Sequence, residues 1–229
     1  MTLENDLKKE LKWFGHASFS ITDFANGSKI YFLDPFDLKN VKEKADVIFI
    51  THMHPDHCSP EDLRKILKDS TVIVSVPGCV DKMGLPNKVI HAEPNKGYTI
   101  NGIIVKTVPA YNVKPERAQF HPKSNNWVGY IIFVNGKSIY HAGDTDFIPE
   151  MKELAKEQLT VAMLPMGGTY TMDANEAIQA ANAIKAGITI PMHYKRLLGA
   201  GYKDAEQKFI RGVKGDVLIL SDLGEGHHS

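Results

Sequence analysis

Short apolar runs and helical repeats alternate along this chain, and their order predicts a mixed α/β fold. The second and third apolar runs flank Asn26-Gly27, a dipeptide typical of a tight hairpin turn. Ser59-Pro60 predicts the start of a helix that reaches about Lys68. The strands predicted in this half are Leu11–Phe14, Ser18–Thr22, Lys29–Leu33, Asp46–Ile50 and Thr71–Val76.

The second half of the chain repeats this order. A hairpin at Asn135-Gly136 joins two of its strands, and a helix capped by Asp173 runs to about Lys185. Two blocks that each pass from hairpins to helix–strand alternation predict an α/β (α+β) fold, a four-layer αββα sandwich of two mixed β-sheets flanked by helices. The remaining predicted strands are Gly97–Ile100, Ile103–Val108, Val128–Val134, Lys137–His141, Thr160–Leu164, Ile188–Pro191 and Asp216–Leu220, and the remaining helices are Glu150–Gln158 and Lys203–Arg211.

Length and composition favour one domain. At 229 residues and 43% apolar content the chain can bury a substantial core, and we expect a single domain over residues 1–229. Residues 226–229 contain the last two histidines of the chain, and we interpret them as a possible tag remnant.

The charge balance narrows the choice of partners. Lysine plus arginine equals aspartate plus glutamate, 27 each, which gives no overall basic field for nucleic acid and favours a small-molecule substrate. No apolar run approaches the ~18 residues of a membrane span, and the charged N-terminus predicts a cytoplasmic protein. A homo-oligomer is possible.

The two cysteines are too few for a disulfide framework and fit a reducing compartment. Cys58 stands beside a histidine cluster and has two interpretations, a metal contact or, as we favour, a small and partly buried thiol.

The densest cluster of potential metal ligands is Thr51-His52-Met53-His54-Pro55-Asp56-His57, directly after a predicted buried strand. Imidazole and carboxylate are preferred ligands of divalent metals. In an extended segment, His52 and His54 face the same side and can bind one ion together. Pro55 then forces a turn that allows Asp56 and His57 to face a second ion. The spacing does not match the helical metalloprotease motif, and no Cys-x-x-Cys pair is present.

Other predicted strand ends also carry polar residues. They are Asp34-Pro35-Phe36, Pro109-Ala110-Tyr111-Asn112 with His121-Pro122 after it, His141-Ala142-Gly143-Asp144-Thr145-Asp146, and Ile190-Pro191-Met192-His193-Tyr194. With the histidine cluster, these motifs resemble the metallo-β-lactamase superfamily. Gly15-His16-Ala17-Ser18 and Leu164-Pro165-Met166-Gly167-Gly168 add a resemblance to its "metal-dependent hydrolase" branch, which is similar to ascorbate-6-phosphate lactonase and N-acylphosphatidylethanolamine-hydrolysing phospholipase D.

This resemblance implies a role for each matching residue. His52 and His54 would bind a first ion, and Asp144 would bridge to a second. The ligands of the second ion would be Asp56, His57 and His193. A carboxylate between two cations neutralises their repulsion and holds them ~3.5–4 Å apart.

The chain departs from the family pattern at one ligand. A third histidine of the first ion commonly stands in Pro-Ala-Phe-His, whereas this chain has Pro109-Ala110-Tyr111-Asn112. We favour His121, ten residues beyond Tyr111, as the replacement. Tyr111 or Asn112 could instead contribute oxygen, or His121 could be a loop residue without a metal.

Several residues are candidates for supporting roles. Asp34 is expected to hydrogen-bond a ligand histidine, although Asp-Pro is equally typical of a turn. His16 is either a substrate or proton contact or, more often for such a histidine, structural. A loop of Gly167-Gly168-Thr169-Tyr170 could face an anion with its backbone N–H groups. Further candidates for contact with substrate or ligands are Tyr111, Tyr170 and Tyr194.

Together these features predict a metal-dependent hydrolase with two divalent ions, most often zinc in such sites, with manganese or iron as alternatives. A metal-bridging hydroxide would attack an ester, lactone, thioester or phosphodiester bond, with Asp56 and Asp144 as the catalytic carboxylates. The alternatives are a phosphodiesterase or nuclease, and a metal-binding protein without turnover. Five cations that could hold one phosphate are Lys114, Arg117, Lys123, Lys195 and Arg196.

Overall fold

The structure, a computed structural model, describes residues 2–224. The described residues divide into two compact units, the first formed by residues 2–92 and 220–224 and the second by residues 93–219. The predicted tag remnant at residues 226–229 lies outside the described residues. The single domain expected from the length of the chain stays a prediction.

The first unit is built on one mixed sheet with strand order β1-β2-β3-β4-β5-β6. The first three strands pair antiparallel, and β3 to β6 pair parallel. Its elements are α1 (Leu3–Glu10), β1 (Leu11–Trp13), β2 (Phe19–Asp23), β3 (Lys29–Leu33), β4 (Val47–Ile50), α2 (Pro60–Ile66), β5 (Val72–Ser75) and β6 (Lys88–His91).

Local sequence explains the ends of these elements. The predicted hairpin joins β2 to β3 through a short 3-10 turn that ends at Gly27, whose φ of 69° favours glycine. Ser59 caps α2 by accepting a hydrogen bond from the Asp62 N–H, and Pro60 occupies the first turn. All four residues of β4 are buried, as its continuous apolar run predicts.

The second unit is built on another mixed sheet with order β13-β12-β11-β10-β9-β8-β7. Strands β7 to β10 pair antiparallel, and β10 to β13 pair parallel. Its elements are β7 (Gly97–Ile100), β8 (Ile103–Pro109), β9 (Val128–Val134), β10 (Lys137–His141), α3 (Glu150–Glu153), β11 (Val161–Pro165), α4 (Ala174–Ile184), β12 (Ile188–Met192), α5 (Lys195–Leu198), α6 (Tyr202–Gly212) and β13 (Asp216–Val217).

The fold class predicted from the sequence is confirmed at the level of two mixed sheets flanked by helices. The sequence patterns missed α1, β6 and α5. The helix predicted at 150–158 is shorter, because α3 passes into a 3-10 turn that ends at Gln158 with a φ of 50°. No helix among residues 2–224 is long and apolar enough to cross a membrane.

The cysteines are where the sequence interpretation was wrong. Cys58 and Cys79 form a disulfide within the first unit, so Cys58 is neither a free thiol nor a metal contact. Sequence spacing alone does not reveal this pairing, because the cysteines are 21 positions apart and the segment between them includes a helix and a strand that bring them together. The cysteines therefore give no support for a reducing compartment.

Candidate functional site

The densest group of metal-type donors in the first unit follows β4. His52 Nε2 and His54 Nδ1 lie 3.0 Å apart, and the two rings meet edge to face. Nitrogen ligands of one tetrahedral zinc ion, each about 2.0–2.1 Å from the metal, have a similar separation of roughly 3.4 Å. Thr51 Oγ1 lies 2.9 Å from His52 Nδ1, which leaves the Nε2 atom turned toward His54.

Asp34 organises the base of this group. Its buried carboxylate accepts hydrogen bonds from the Thr51 N–H at 2.8 Å and the Thr51 hydroxyl at 2.7 Å. Its Oδ2 atom also lies 2.8 Å from His57 Nδ1. An acceptor at Nδ1 fixes the tautomer of His57 and directs its Nε2 atom as a donor to a metal. Asp34 therefore contacts both the end of β4 and a candidate ligand.

His16 and Asp56 form the outer side of the same group. His16 Nε2 lies 2.8 Å from Asp56 Oδ2, and the His16 ring is 5.5 Å from that of His57. The turn that carries His16 places it at a φ of 52°. Asp56 is 38% exposed, which contrasts with the fully buried His57. One donor atom from each of His16, Asp56 and His57 falls within 4.8 Å of the others.

The disulfide lies directly behind these donors. Cys58 follows His57 in sequence, and Cys79 Sγ lies 3.9 Å from the backbone oxygen of His52. The crosslink thus follows one end of the histidine segment directly and contacts the other end.

The second unit contains its own group of donors, gathered from three distant parts of the chain. Asp144 Oδ2 lies 3.3 Å from His121 Nε2 and 3.1 Å from His193 Nε2. All three side chains are at most 3% exposed. A carboxylate removed from water needs compensating partners, and two imidazoles facing one carboxylate oxygen form a donor set typical of a divalent metal.

Two glycines allow this close arrangement. Gly143, with a φ of 64°, precedes Asp144 and turns the chain at the end of β10. Gly167 lies against the segment after β12, where a Cβ atom would collide with the backbone oxygen of His193. The Gly167-Gly168 motif thus has a packing role beside His193, whose own φ is 57°.

The altered family motif lies beside His121. The Asn112 N–H donates to the backbone oxygen of His121 at 2.8 Å, and the Asn112 side chain donates to the backbone oxygens of Arg117 and Tyr170. The Tyr111 hydroxyl donates to Glu150 at 2.9 Å and lies 3.0 Å from Lys123 Nζ. Burial, helped by Glu150 and opposed by Lys123, raises the pKa of Tyr111, so this phenol stays a neutral donor at physiological pH.

The other two tyrosines are placed differently. The Tyr194 hydroxyl donates to Glu206, and the side chain is buried. Tyr170 is 38% exposed, and its ring packs edge to face on Phe120. Of these two, Tyr170 offers the more accessible surface for a substrate.

Three of the five cations considered for phosphate binding contact acids of the second unit. Arg117, offered as one cation that could hold a phosphate, is instead buried and bound to Asp146 and Glu176. Lys114 lies 2.6 Å from Glu176, and Lys123 lies 3.3 Å from Glu150. Sequence reasoning missed the acidic partners, although Asp146 stands two residues after the motif aspartate.

Comparison with known proteins gives the class. The family model of the β-lactamase superfamily domain matches residues 10–193. The chain is 33% identical to a UPF0173 metal-dependent hydrolase of Thermoplasma acidophilum, covering 92% of this chain and 94% of that protein. A UPF0173 metal-dependent hydrolase of Thermococcus kodakarensis is 32% identical, covering 92% and 96%.

Solved structures agree with this class. A protein of Parabacteroides distasonis, assigned as a metal-dependent hydrolase, is 32% identical with a TM-score of 0.77, covering 92% of this chain and 93% of the other. Igni18, a metallo hydrolase of Ignicoccus hospitalis, is 26% identical with a TM-score of 0.73, covering 93% and 94%. The chain belongs to the metallo-β-lactamase superfamily, among the UPF0173 metal-dependent hydrolases.

The enzyme class predicted from the sequence, a metal-dependent hydrolase of this superfamily, is therefore confirmed. The more specific likeness to ascorbate-6-phosphate lactonase and the phospholipase D is not among these findings. Zinc, the number of ions, the cytoplasmic location, the homo-oligomer and the individual site residues stay predictions.

Proposed function

We propose that this chain binds two divalent ions, zinc first with manganese or iron as alternatives, and hydrolyses an ester, lactone, thioester or phosphodiester bond of a small substrate. The proposed ligands are His52, His54, Asp56 and His57 of the first unit and His121, Asp144 and His193 of the second. When bound, such ions lower the pKa of a shared water toward neutrality and polarise the bond under attack.

The observation that carries this proposal is the approach of His121 and His193 to one oxygen of Asp144, at 3.3 Å and 3.1 Å. The donor set of the first unit supports it separately, because the facing nitrogens of His52 and His54 lie 3.0 Å apart. Both groups consist of imidazole and carboxylate, the ligands that suit zinc, manganese and iron.

Each protein group would have a defined task. Asp144 would neutralise the charge of the ions and fix the orientation of two histidines through one oxygen. Asp34 would hold the His57 ring through its Nδ1 atom. Asp56 is the most exposed of these carboxylates, and its Oδ2 atom lies 2.8 Å from His16 Nε2. From this position beside His16, Asp56 would exchange a proton with the leaving group.

For a phosphodiester substrate, two of the five candidate phosphate-binding cations are already engaged. Buried Arg117 cannot reach a phosphate, and Lys114 is committed to Glu176. The alternatives are a phosphodiesterase or nuclease and a metal-binding protein without turnover, and the following test distinguishes them.

The test combines elemental analysis with hydrolysis of lactones, carboxylic esters, thioesters and phosphodiesters. It compares the wild type, His121→Ala and the matched control His91→Ala, a half-exposed histidine that belongs to neither donor group. We expect the wild type to bind two ions per chain and to hydrolyse one substrate class. His121→Ala should reduce both the metal content and the hydrolysis rate, and His91→Ala should reduce neither. One ion with turnover would show a mononuclear enzyme, and two ions without turnover on any class would favour the binding-protein alternative.

A further inference from the structure

The loop that carries His121 is a long irregular connection. It joins β8 to β9 over residues 110–127, and apart from a short 3-10 turn at Lys123–Asn125 the structure assigns it no helix or strand. Loops of this length are usually mobile unless tied down or functional. A histidine on such a loop holds a ligand position only if other contacts fix the backbone near it.

Arg117 supplies a fixed point in the middle of this loop. Its side chain is only 5% exposed, and its Nε donates to Asp146 Oδ1. One terminal nitrogen donates to both carboxylate oxygens of Glu176, each at 2.8 Å. The rigid guanidinium thus directs two separate nitrogens at two different carboxylates, a geometry that lysine, with a single point of charge, does not provide.

The two acids connect Arg117 to the elements around the ligand group. Asp146 stands two residues after Asp144 and accepts hydrogen bonds from the backbone N–H groups of Val113 and Lys114. Glu176 lies in the first turn of α4 and completes a capping box with Asp173. Arg117 therefore joins the His121 loop to the strand end that carries Asp144 and to the start of a helix.

The connection from Arg117 to His121 runs through one asparagine. The Asn112 side chain donates to the Arg117 backbone oxygen at 2.8 Å, and the Asn112 N–H donates to the His121 backbone oxygen at 2.8 Å. The asparagine that replaces the usual family histidine thus ties the loop together.

The charges in this network balance. Lys114 Nζ lies 2.6 Å from Glu176, so two cations, Lys114 and Arg117, face two carboxylates. Buried ion pairs contribute little net stability compared with apolar packing, and they serve better to specify one geometry. Because this network connects the segments that carry His121 and Asp144, its most direct effect is to fix the positions of these two candidate ligands.

We propose that Arg117 is a positioning residue that holds His121 and Asp144 in ligand geometry through Asp146, Glu176 and Asn112. The inference rests on the proposed function, since it requires His121 and Asp144 to bind metal. A ligand histidine inside a Pro-Ala-Phe-His motif would be supported by the end of its own strand. His121 stands on a loop, and the buried Arg117 would provide that support instead.

The test uses the cobalt-substituted full-length protein, whose visible absorption reports the ligands and geometry of the ion. Arg117→Lys keeps the charge and removes the fork, and the matched control Arg211→Lys makes the same change on the exposed face of α6. We expect Arg117→Lys to alter the cobalt spectrum and weaken the affinity of the more weakly held ion about 10- to 100-fold. Arg211→Lys should leave both unchanged.

A second variant covers the case in which Arg117→Lys does not fold. Arg117→Met combined with Asp146→Asn and Glu176→Gln removes the buried charges together, which avoids an uncompensated carboxylate. Thermal unfolding of the metal-free proteins identifies the folded variants. An altered cobalt spectrum in a folded variant supports the inference, and a wild-type spectrum with wild-type affinity overturns it, even if stability falls.

His121→Ala separates this inference from the proposed function. If His121→Ala changes the cobalt spectrum and the Arg117 variants do not, the positioning role is wrong and the ligand assignment stands. If His121→Ala itself leaves spectrum and affinity unchanged, His121 is not a ligand, and both the assignment and the inference fail.

Discussion

The donor groups of the two units are held in place by different means. In the first unit His52, His54, Asp56 and His57 lie within six residues, supported by the Asp34 carboxylate and by a disulfide. In the second unit the donors come from three distant segments, and their alignment depends on one carboxylate and a buried ion network. Contiguous donors need only local support, whereas dispersed donors need tertiary contacts that fix whole segments.

The largest expected effect comes from Asp144→Asn, which removes the charge shared by the two histidines of the second unit. The amide keeps the shape but is a poor metal ligand, and its NH₂ group repels an imidazole that donates to it. We expect the rate to fall by about 10³-fold or more, since several kcal/mol of charge stabilisation is lost. Steady-state kinetics and elemental analysis measure the change.

The control for this variant is Asp204→Asn, the same change on the exposed face of the second unit. It should keep the wild-type rate and metal content. An Asp144→Asn protein that turns over at the wild-type rate would show that the second unit takes no part in the chemistry, and the proposed ligand set would have to be abandoned.

The second effect concerns the crosslink of the first unit. Removing a disulfide that spans a separation of 21 residues frees the unfolded chain and is expected to reduce the free energy of unfolding by about 3 kcal/mol. The double variant Cys58→Ala/Cys79→Ala should show this loss in urea unfolding and should bind metal more weakly, because the crosslink lies beside His57 and His52.

Reducing agent provides the control for the crosslink. It should destabilise the wild type to the level of the double variant and leave the double variant unchanged. If the wild type in oxidising buffer carries two free thiols by chemical titration, the first unit is not held in this way and the contrast between the units weakens.

The third effect tests the non-covalent support of the first unit. Asp34→Asn cannot accept every hydrogen bond that Asp34 receives, because its nitrogen would face either the Thr51 N–H or both the Thr51 hydroxyl and His57 Nδ1. Loss of such an orienting partner typically lowers metal affinity 10- to 100-fold. Competition with a chelator measures this affinity, and Asp69→Asn, an exposed residue of the same unit, should bind metal like the wild type. Equal affinities for both variants would exclude an orienting role for Asp34.

The same contrast explains what the sequence could predict. Strand positions such as Lys29–Leu33 and Val128–Val134 were predicted to the residue, because alternation and turn signals are local. The histidine cluster was identifiable for the same reason. In contrast, the pairing of Cys58 with Cys79 and of Arg117 with Asp146 and Glu176 depends on the approach of segments far apart in sequence. The sequence therefore offered Arg117 only as one of five cations that could hold a phosphate, and its two acidic partners were not predicted.

The smallest expected effect sharpens the comparison through pH. Burial opposes ionisation of Glu176, but hydrogen bonds from Lys114, the Asp173 backbone and Arg117 outweigh it and hold its pKa below the usual value of 4.5. A carboxyl with a lowered folded pKa stabilises the protein above its unfolded pKa, and that stability is lost as the pH falls through the folded value.

Glu176→Gln should therefore lower the free energy of unfolding at neutral pH by about 1–2 kcal/mol. The free energy of unfolding of this variant should also decline less than that of the wild type as the pH falls. Asp62 is the counterpart in the first unit, because burial is again outweighed there, by hydrogen bonds from Lys65 and Ser59 that lower its pKa. Urea unfolding of metal-free Glu176→Gln and Asp62→Asn between about pH 2 and pH 7 gives the two slopes. Only Glu176→Gln should also disturb the cobalt spectrum, since Glu176 binds the arginine that positions His121. A disturbed spectrum in Asp62→Asn alone would reverse the roles assigned to the two networks.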